Sequence, residues 1–197
     1  MFILSFIIAY LIGSISFSYL MTKKIKKVDI RKYGSGNAGA TNTLRVLGVG
    51  PAICVLLLDV LKGVIAILLA KAMHLDPWAV AVTGLFAIIG HNFPVFFGFK
   101  GGKGVATTIG VFAMLSFLPT LIAGIVAIAV ILITRFVSLG SLILIILTPI
   151  ISWWFKNLPL SYIYVDALIA LLAVWQHRTN IKRLIRGEEN KLGQKGA

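Results

Sequence analysis

Long apolar runs separated by short polar clusters make up almost the whole chain. The pattern predicts helical spans over about 2–20, 46–70, 77–97, 104–118, 119–134, 136–155 and 158–176. Between them lie two polar loops, 21–45 and 98–103, and the chain ends in a polar tail, 177–197. A helical span needs roughly 20 apolar residues, so these runs leave no room for a sizeable soluble domain. Gly104 to Thr134 is the ambiguous stretch, apolar for 31 residues with Pro119 in its middle. As one helix it would be about 46 Å long against a hydrocarbon core of about 30 Å. Reading it as two helices that break at Pro119 gives a short fourth helix that starts at a glycine-rich loop.

Composition agrees with the pattern. Hydrophobic residues are 59% of the 197, charged residues only 13%, and mean hydropathy is +0.99. A water-soluble globule of this make-up would expose large apolar patches. The first run starts at Phe2 without a basic leader or a small-residue cleavage site, so it reads as a retained span. Cys54 is the single cysteine, which excludes an internal disulfide.

Charge then fixes orientation. There are 19 Lys or Arg and 6 Asp or Glu, a formal net charge of +13. Cytoplasmic loops of membrane proteins are enriched in Lys and Arg. With seven spans and the N-terminus outside, loop 21–45, loop 98–103, Arg135 and the tail all face the cytoplasm. They hold 16 of the 19 basic residues, leaving Lys71 and Lys156 outside and Lys62 within a span. Six spans would put Arg135 and the tail on the side opposite the first basic loop. The expected fold is therefore an all-α integral membrane protein of seven transmembrane helices, one domain, with a cytoplasmic C-terminus. The same asymmetry explains the high net charge without nucleic-acid binding, which a buried bundle has no groove to support.

Three polar segments carry candidate chemistry. Gly34-Ser35-Gly36-Asn37-Ala38-Gly39-Ala40-Thr41-Asn42, followed by Arg45, fits G-x-G-x-x-G by its letters. It has no strand before it, and the acid at the ribose-binding distance, Asp59, lies in a span, so a dinucleotide site is excluded. Its glycines still let backbone N–H groups converge on an anion, Ser35, Asn37, Thr41 and Asn42 add donors, and Arg45 can fork onto a phosphate. A plain interhelical loop is the alternative. Lys100-Gly101-Gly102-Lys103-Gly104 opens a helix but lacks the glycine and hydroxyl positions of a Walker motif. A glycine-rich turn at a helix N-terminus binds phosphate nonetheless, and Lys103 adds a charge. The alternative is a cytoplasmic turn with ordinary lysines. In the third segment His177, Asn180, Ile181 and Leu184 share one helical stripe, while Arg178, Lys182 and Arg186 turn away. The stripe should face protein and so aim His177 and Asn180 inward; a snorkelling helix end is the alternative. Asp59 and Lys62, at i and i+3 in the second span, read as a structural pair.

What is missing also matters. No carboxylate cluster suits a catalytic Mg²⁺, no His-x4-Asp dyad is present, and Cys54 sits inside a span. Metal-dependent phosphoryl transfer and thiol chemistry are not expected, and no metal or cofactor is required.

Gly34–Arg45, Gly90–Thr107 (GHNFPVFFGFKGGKGVAT) and His177–Glu189 (HRTNIKRLIRGEE) together resemble the three motifs of the bacterial acyl-phosphate:glycerol-3-phosphate acyltransferases. Gly13–Phe17 (GSISF) and Leu56–Gly63 (LLLDVLKG) extend the similarity, with Ser16 where many relatives have Pro. The resemblance implies acyl transfer from acyl phosphate to the sn-1 hydroxyl of glycerol 3-phosphate, yielding lysophosphatidic acid and phosphate in the bacterial inner membrane. The expected route is direct attack by the glycerol hydroxyl without metal or acyl-enzyme, with the acyl chain entering sideways from the bilayer and the protein a monomer among membrane lipids. By the same resemblance Gly101, Gly102, Lys103 and Gly104 with Arg45 should hold glycerol 3-phosphate. Ser35, with His177 and Asn180 a candidate catalytic residue, should also line the phosphate sites together with Asn37, Gly39, Ala40, Thr41 and Asn42. His177 and Asn180 should orient the reacting centre with Ser141 nearby, and His177 or a substrate phosphate oxygen is the base. The rival is a small anion or organophosphate transporter, disfavoured by the lack of an internal repeat.

Overall fold

The computed structural model describes residues 1–193, so the end of the tail, 194–197, lies outside the described residues. The regular structure among them is all helical, with no strand. Ten α-helices follow one another: α1 (Phe2–Gly13), α2 (Phe17–Lys26), α3 (Ala40–Leu47), α4 (Val49–Ala72), α5 (Pro77–Asn92), α6 (Val105–Leu115), α7 (Phe117–Thr134), α8 (Val137–Ser152), α9 (Leu160–Gln176) and α10 (Arg178–Ile185). They form two compact units, one of Met1–Val111 and one beginning at Phe112.

In the first unit α5 packs on α1 and α4, and α2 and α3 pack on α4. Small residues permit the close approach. A Cβ on Gly13 would strike the Ala87 carbonyl, and one on Gly90 the Tyr10 carbonyl, so α1 and α5 touch backbone to backbone. Gly63 against Thr107 and Gly110 against Val60 do the same for α4 and α6. This is how helices pack in lipid, where apolar burial alone gives no attraction. The first apolar run is broken between α1 and α2 at Ser14–Ser16. Ser14 Oγ donates to the Tyr10 carbonyl at 2.8 Å, and Lys62 takes the carbonyls of Gly13 and Ile15. The break therefore forms with Ser16 in place. Asp76 caps α5, accepting from the N–H groups of Trp78 and Ala79, with Pro77 at the first helical position.

In the second unit α8 packs on α7 and α9, and α10 follows α9. The long apolar run breaks at Ser116 and not at Pro119. Proline lacks an N–H, but in the first turn of a helix that group has no intrahelical acceptor anyway. Pro119 is therefore comfortable as the third residue of α7, and the chain breaks ahead of it.

Four stretches are long and apolar enough to cross a membrane: Phe2–Lys26, Val49–Ala72, Pro77–Phe97 and Phe117–Thr134. α9 and α10 together make a fifth if the 61° bend between them is counted as one broken span. α6 and α8 are apolar but shorter, at 11 and 16 residues. At 1.5 Å per residue α6 rises about 16 Å, near half the hydrocarbon thickness.

Candidate active site

The two glycine-rich segments lie in the first unit and are packed on each other. Gly34 and Gly36 adopt positive φ, at 58° and 72°, which fold the first loop back over α3. Asn42 organises it from beneath. Its buried Oδ1 accepts from the Ser35 N–H at 2.9 Å, and its Nδ2 donates to the carbonyls of Tyr33 (3.0 Å) and Ile30 (3.3 Å). A side chain at Gly34 would collide with Asn42 Oδ1. Asn42 thus shapes the loop, while Ser35 is exposed and Asn37, Thr41 and Arg45 are half-buried around it. Gly39 caps α3, so Ala40 and Thr41 sit in the first turn of a helix. Thr43, a residue the sequence reading passed over, ties α3 to α2 through Ser18 Oγ at 2.8 Å.

The second loop stands on the end of α5. The Gly101 N–H donates to the Asn92 carbonyl at 3.2 Å and the Gly102 N–H to the His91 carbonyl at 3.1 Å. Those two amides are therefore anchors. The N–H groups left without intrahelical acceptors belong to the start of α6, where the first helical bond runs from Thr108 to the Gly104 carbonyl at 2.8 Å. Gly104 takes φ +80°, and a Cβ there would approach Asn92 Oδ1. A Cβ on Gly102 would strike His91 Nε2 and stand 2.7 Å from the Ala38 carbonyl, so the two glycine loops touch at this point. Lys103 is half-buried at the loop's crest.

Arg31 clamps the pair and was not anticipated from sequence. Its Nη1 donates to the Phe97 carbonyl at 2.7 Å, its Nη2 pairs with Asp29 at 2.8 Å, and its guanidinium lies over Tyr19. The Arg31 hydrogen bond holds the Asp29 carboxyl below its ordinary range, against a smaller opposing effect of burial. In the sequence Arg31 is one of several basic residues in a run; nothing there separates a clamp from a solvated charge.

In the second unit the α9–α10 bend centres on His177, which is buried. His177 Nδ1 lies 2.8 Å from the Ala173 carbonyl. A carbonyl only accepts, so Nδ1 carries the proton and Nε2 is the basic nitrogen. Asn180 is buried too, and Ile181 and Leu184 are half-buried, while Arg178, Lys182 and Arg186 are exposed, as the stripe predicts. Glu189 fixes the corner. Its Oε1 accepts from Asn180 Nδ2 at 2.7 Å and Ser138 Oγ at 3.0 Å, and its Oε2 pairs with Arg183 Nε at 2.7 Å. Burial pushes the Glu189 carboxyl up, but the three donors outweigh it and the net shift is downward. Ser141, one turn beyond Ser138 on α8, is buried and donates to the Val137 carbonyl at 2.8 Å.

A model of the family described as glycerol-3-phosphate acyltransferase matches residues 3–187. The glycerol-3-phosphate acyltransferase of Shouchella clausii is 63% identical over 193 residues, 95% of this chain and 94% of that protein. The chain belongs to the glycerol-3-phosphate acyltransferase family. The resemblance carried by the three motifs is thereby borne out, and membership makes the chain an acyltransferase. Two crystal structures of PlsY, an integral membrane glycerol 3-phosphate acyltransferase, share the fold. Its glycerol 3-phosphate form matches with a TM-score of 0.91 at 41% identity, over 98% of this chain and 96% of that one. Its lysophosphatidic acid form matches with a TM-score of 0.88 at 39% identity, over 98% and 95%. The family fold is thus an all-helical membrane protein, as composition and periodicity predict.

Proposed function

We propose that the chain transfers a fatty acyl group from acyl phosphate to the sn-1 hydroxyl of glycerol 3-phosphate, giving lysophosphatidic acid and inorganic phosphate. The observation that carries this reading is the pair of glycine-rich turns in the first unit, packed on each other and each opening a helix N-terminus. They occur in a family whose solved members include a glycerol 3-phosphate form and a lysophosphatidic acid form. Two anion-suited turns fit a reaction whose donor and acceptor both carry phosphate.

The hydroxyl oxygen attacks the acyl carbon, the bond from that carbon to the phosphate oxygen breaks, and phosphate leaves. Acyl phosphate is a mixed anhydride, so the leaving group needs little assistance, and catalysis rests on positioning and charge stabilisation. We assign glycerol 3-phosphate to Lys103, Gly104 and Arg45, on the fold that Gly101 and Gly102 anchor. Ser35, Asn37, Gly39, Ala40 and Thr41 line the phosphate sites, with Asn42 holding their loop. His177 accepts the hydroxyl proton at Nε2, a role its Nδ1 contact with Ala173 supports. Asn180, held by Glu189, and Ser141 orient the reacting groups.

We place the reaction at the cytoplasmic face of the bacterial inner membrane, with seven spans and the N-terminus outside. The support is the charge asymmetry, 16 basic residues against two. In this topology α6 is the short fourth helix, and α8 spans where the bilayer is locally thin. Purified protein given long-chain acyl phosphate and glycerol 3-phosphate should form lysophosphatidic acid and phosphate in equal amounts without added metal; absence of the lipid product ends the reading. Labelling of single cysteines at Ser35, Lys103 and His177, with Cys54 replaced, should come from the cytoplasmic side for all three.

A further inference from the structure

Below the second glycine loop, inside the first unit, lies a charged cluster to which the reaction above gives no part. Lys62, on α4, is 2% exposed, and its ammonium has four acceptors in reach. They are Asp59 Oδ1 at 2.8 Å, the Gly13 carbonyl at 3.0 Å, the Ile15 carbonyl at 3.1 Å and His91 Nδ1 at 2.8 Å. Two of these are carbonyls freed where the first apolar run breaks, a position at which a cation is favourable because the helix dipole ends there. An ammonium has three protons and no lone pair. Its three protons serve the Gly13 and Ile15 carbonyls and His91 Nδ1, while Asp59 Oδ1 is ion-paired with Lys62 and lies 3.6 Å from His91 Nδ1; toward Lys62, His91 Nδ1 accepts, and the ring proton resides on Nε2. That nitrogen is the atom a Cβ on Gly102 would strike. The backbone of the same residue also holds the loop, since the Gly102 N–H donates to the His91 carbonyl.

The geometry points to His91 as a positioning residue for glycerol 3-phosphate. Lys62, held by Asp59 and the end of α1, locks the ring, and the ring, through Gly102, sets the height at which Lys103, Gly104 and the first turn of α6 meet the substrate phosphate. The inference rests on the assignment of that loop to glycerol 3-phosphate. It adds that the binding surface is fixed from inside the membrane by a chain of contacts running from α1 through α4 to α5. Asp59, Lys62 and His91 act through the loop rather than on the substrate.

Steady-state kinetics on the full-length protein test it. His91→Leu should raise the KM for glycerol 3-phosphate about tenfold while kcat and the KM for acyl phosphate stay within about twofold. His91→Gln, which keeps a donor near the Nε2 position, should return that KM to within about threefold of the parent. Asp59→Asn combined with Lys62→Met removes both charges together and frees the ring; it should raise the same KM three- to fivefold. Equal losses for both substrates, or a fall in kcat alone, would mean a merely structural role and overturn the inference. Lys103→Ala separates the two levels. If it leaves the KM unmoved, the loop's assignment fails. If it raises KM and the His91 and Asp59/Lys62 variants do not, only the present inference fails. Should the variants not fold, ¹⁵N spectra of the native protein decide, with only His74, His91 and His177 to assign. An Nε2–H ring for His91 that shifts on adding glycerol 3-phosphate supports the inference; an Nδ1–H ring overturns it.

Discussion

The glycine loops of the first unit and the His177 corner of the second solve opposite problems. On the proposed assignment, the loops act through backbone amides aimed by the absence of side chains, together with Lys103 and Arg45. Gly34 leaves room for Asn42, and Gly102 leaves room for His91 and Ala38. At the corner the groups that matter are side chains, and they are aimed by other side chains: Glu189 gathers Asn180, Ser138 and Arg183. A surface of amides recognises the charge and shape of a phosphate and carries no group that takes up a proton near neutral pH. An imidazole does that, and it needs its tautomer fixed. The comparison teaches that the loops should fail by steric addition and show it in KM, whereas the corner should fail by loss of a functional group and show it in kcat.

Four substitutions break or sharpen that contrast. His177→Ala should lower kcat about 10²- to 10⁴-fold with the KM for glycerol 3-phosphate near normal, as loss of a general base does; phosphate release measures it, and near-normal turnover removes His177 from the chemistry. Gly102→Ala forces a Cβ against His91 and the Ala38 carbonyl. Overpacking costs about 1–3 kcal/mol, so the KM for glycerol 3-phosphate should rise about 10- to 100-fold, with kcat little changed. Lys103→Ala should raise the same KM about tenfold, since a hydrogen bond to a charged partner contributes about 1.5–3 kcal/mol. An unchanged KM would contradict the assignment.

Glu189→Gln is the mildest. It should lower kcat a few-fold, because Asn180 keeps an acceptor while Arg183 loses its ion pair. It also has a pH signature. The folded-state pKa of Glu189 is depressed, so the stability it contributes is complete above the unfolded value of about 4.3 and is lost as pH falls through the lower folded value. Thermal melts should therefore show the parent losing stability below about pH 4 more steeply than the Gln variant.

The fold was legible because lipid imposes a simple rule on sequence, and the apolar runs became helices, the first of them broken between α1 and α2. The inward stripe of His177 and Asn180 could also be read directly. The break at Ser116 could not, since Pro119 is the conspicuous breaker and its tolerance in a first turn depends on where the helix starts. Asn42 reads as a ligand in the sequence because an amide that shapes a loop and one that binds a phosphate have the same letter. Gly101 and Gly102 read as ligands for the same reason, although their N–H groups are tied to α5. Glu189 is a surface-like acid in a charged tail until the chain folds back on α8. Arg31 depends on a contact across 66 residues of sequence, and no local pattern encodes it.

The buried ammonium of Lys62 bears on how the nascent chain enters the bilayer. A lysine or aspartate at the centre of a lone inserting helix costs roughly 2.5–3.5 kcal/mol. Asp59 can neutralise Lys62 within α4, but the carbonyls of Gly13 and Ile15 belong to a segment synthesised some 50 residues earlier. Those carbonyls can gain their lysine donor only once α4 has been synthesised and has entered the bilayer beside them. Biogenesis of this enzyme thus begins with a handshake between its first and second hydrophobic stretches.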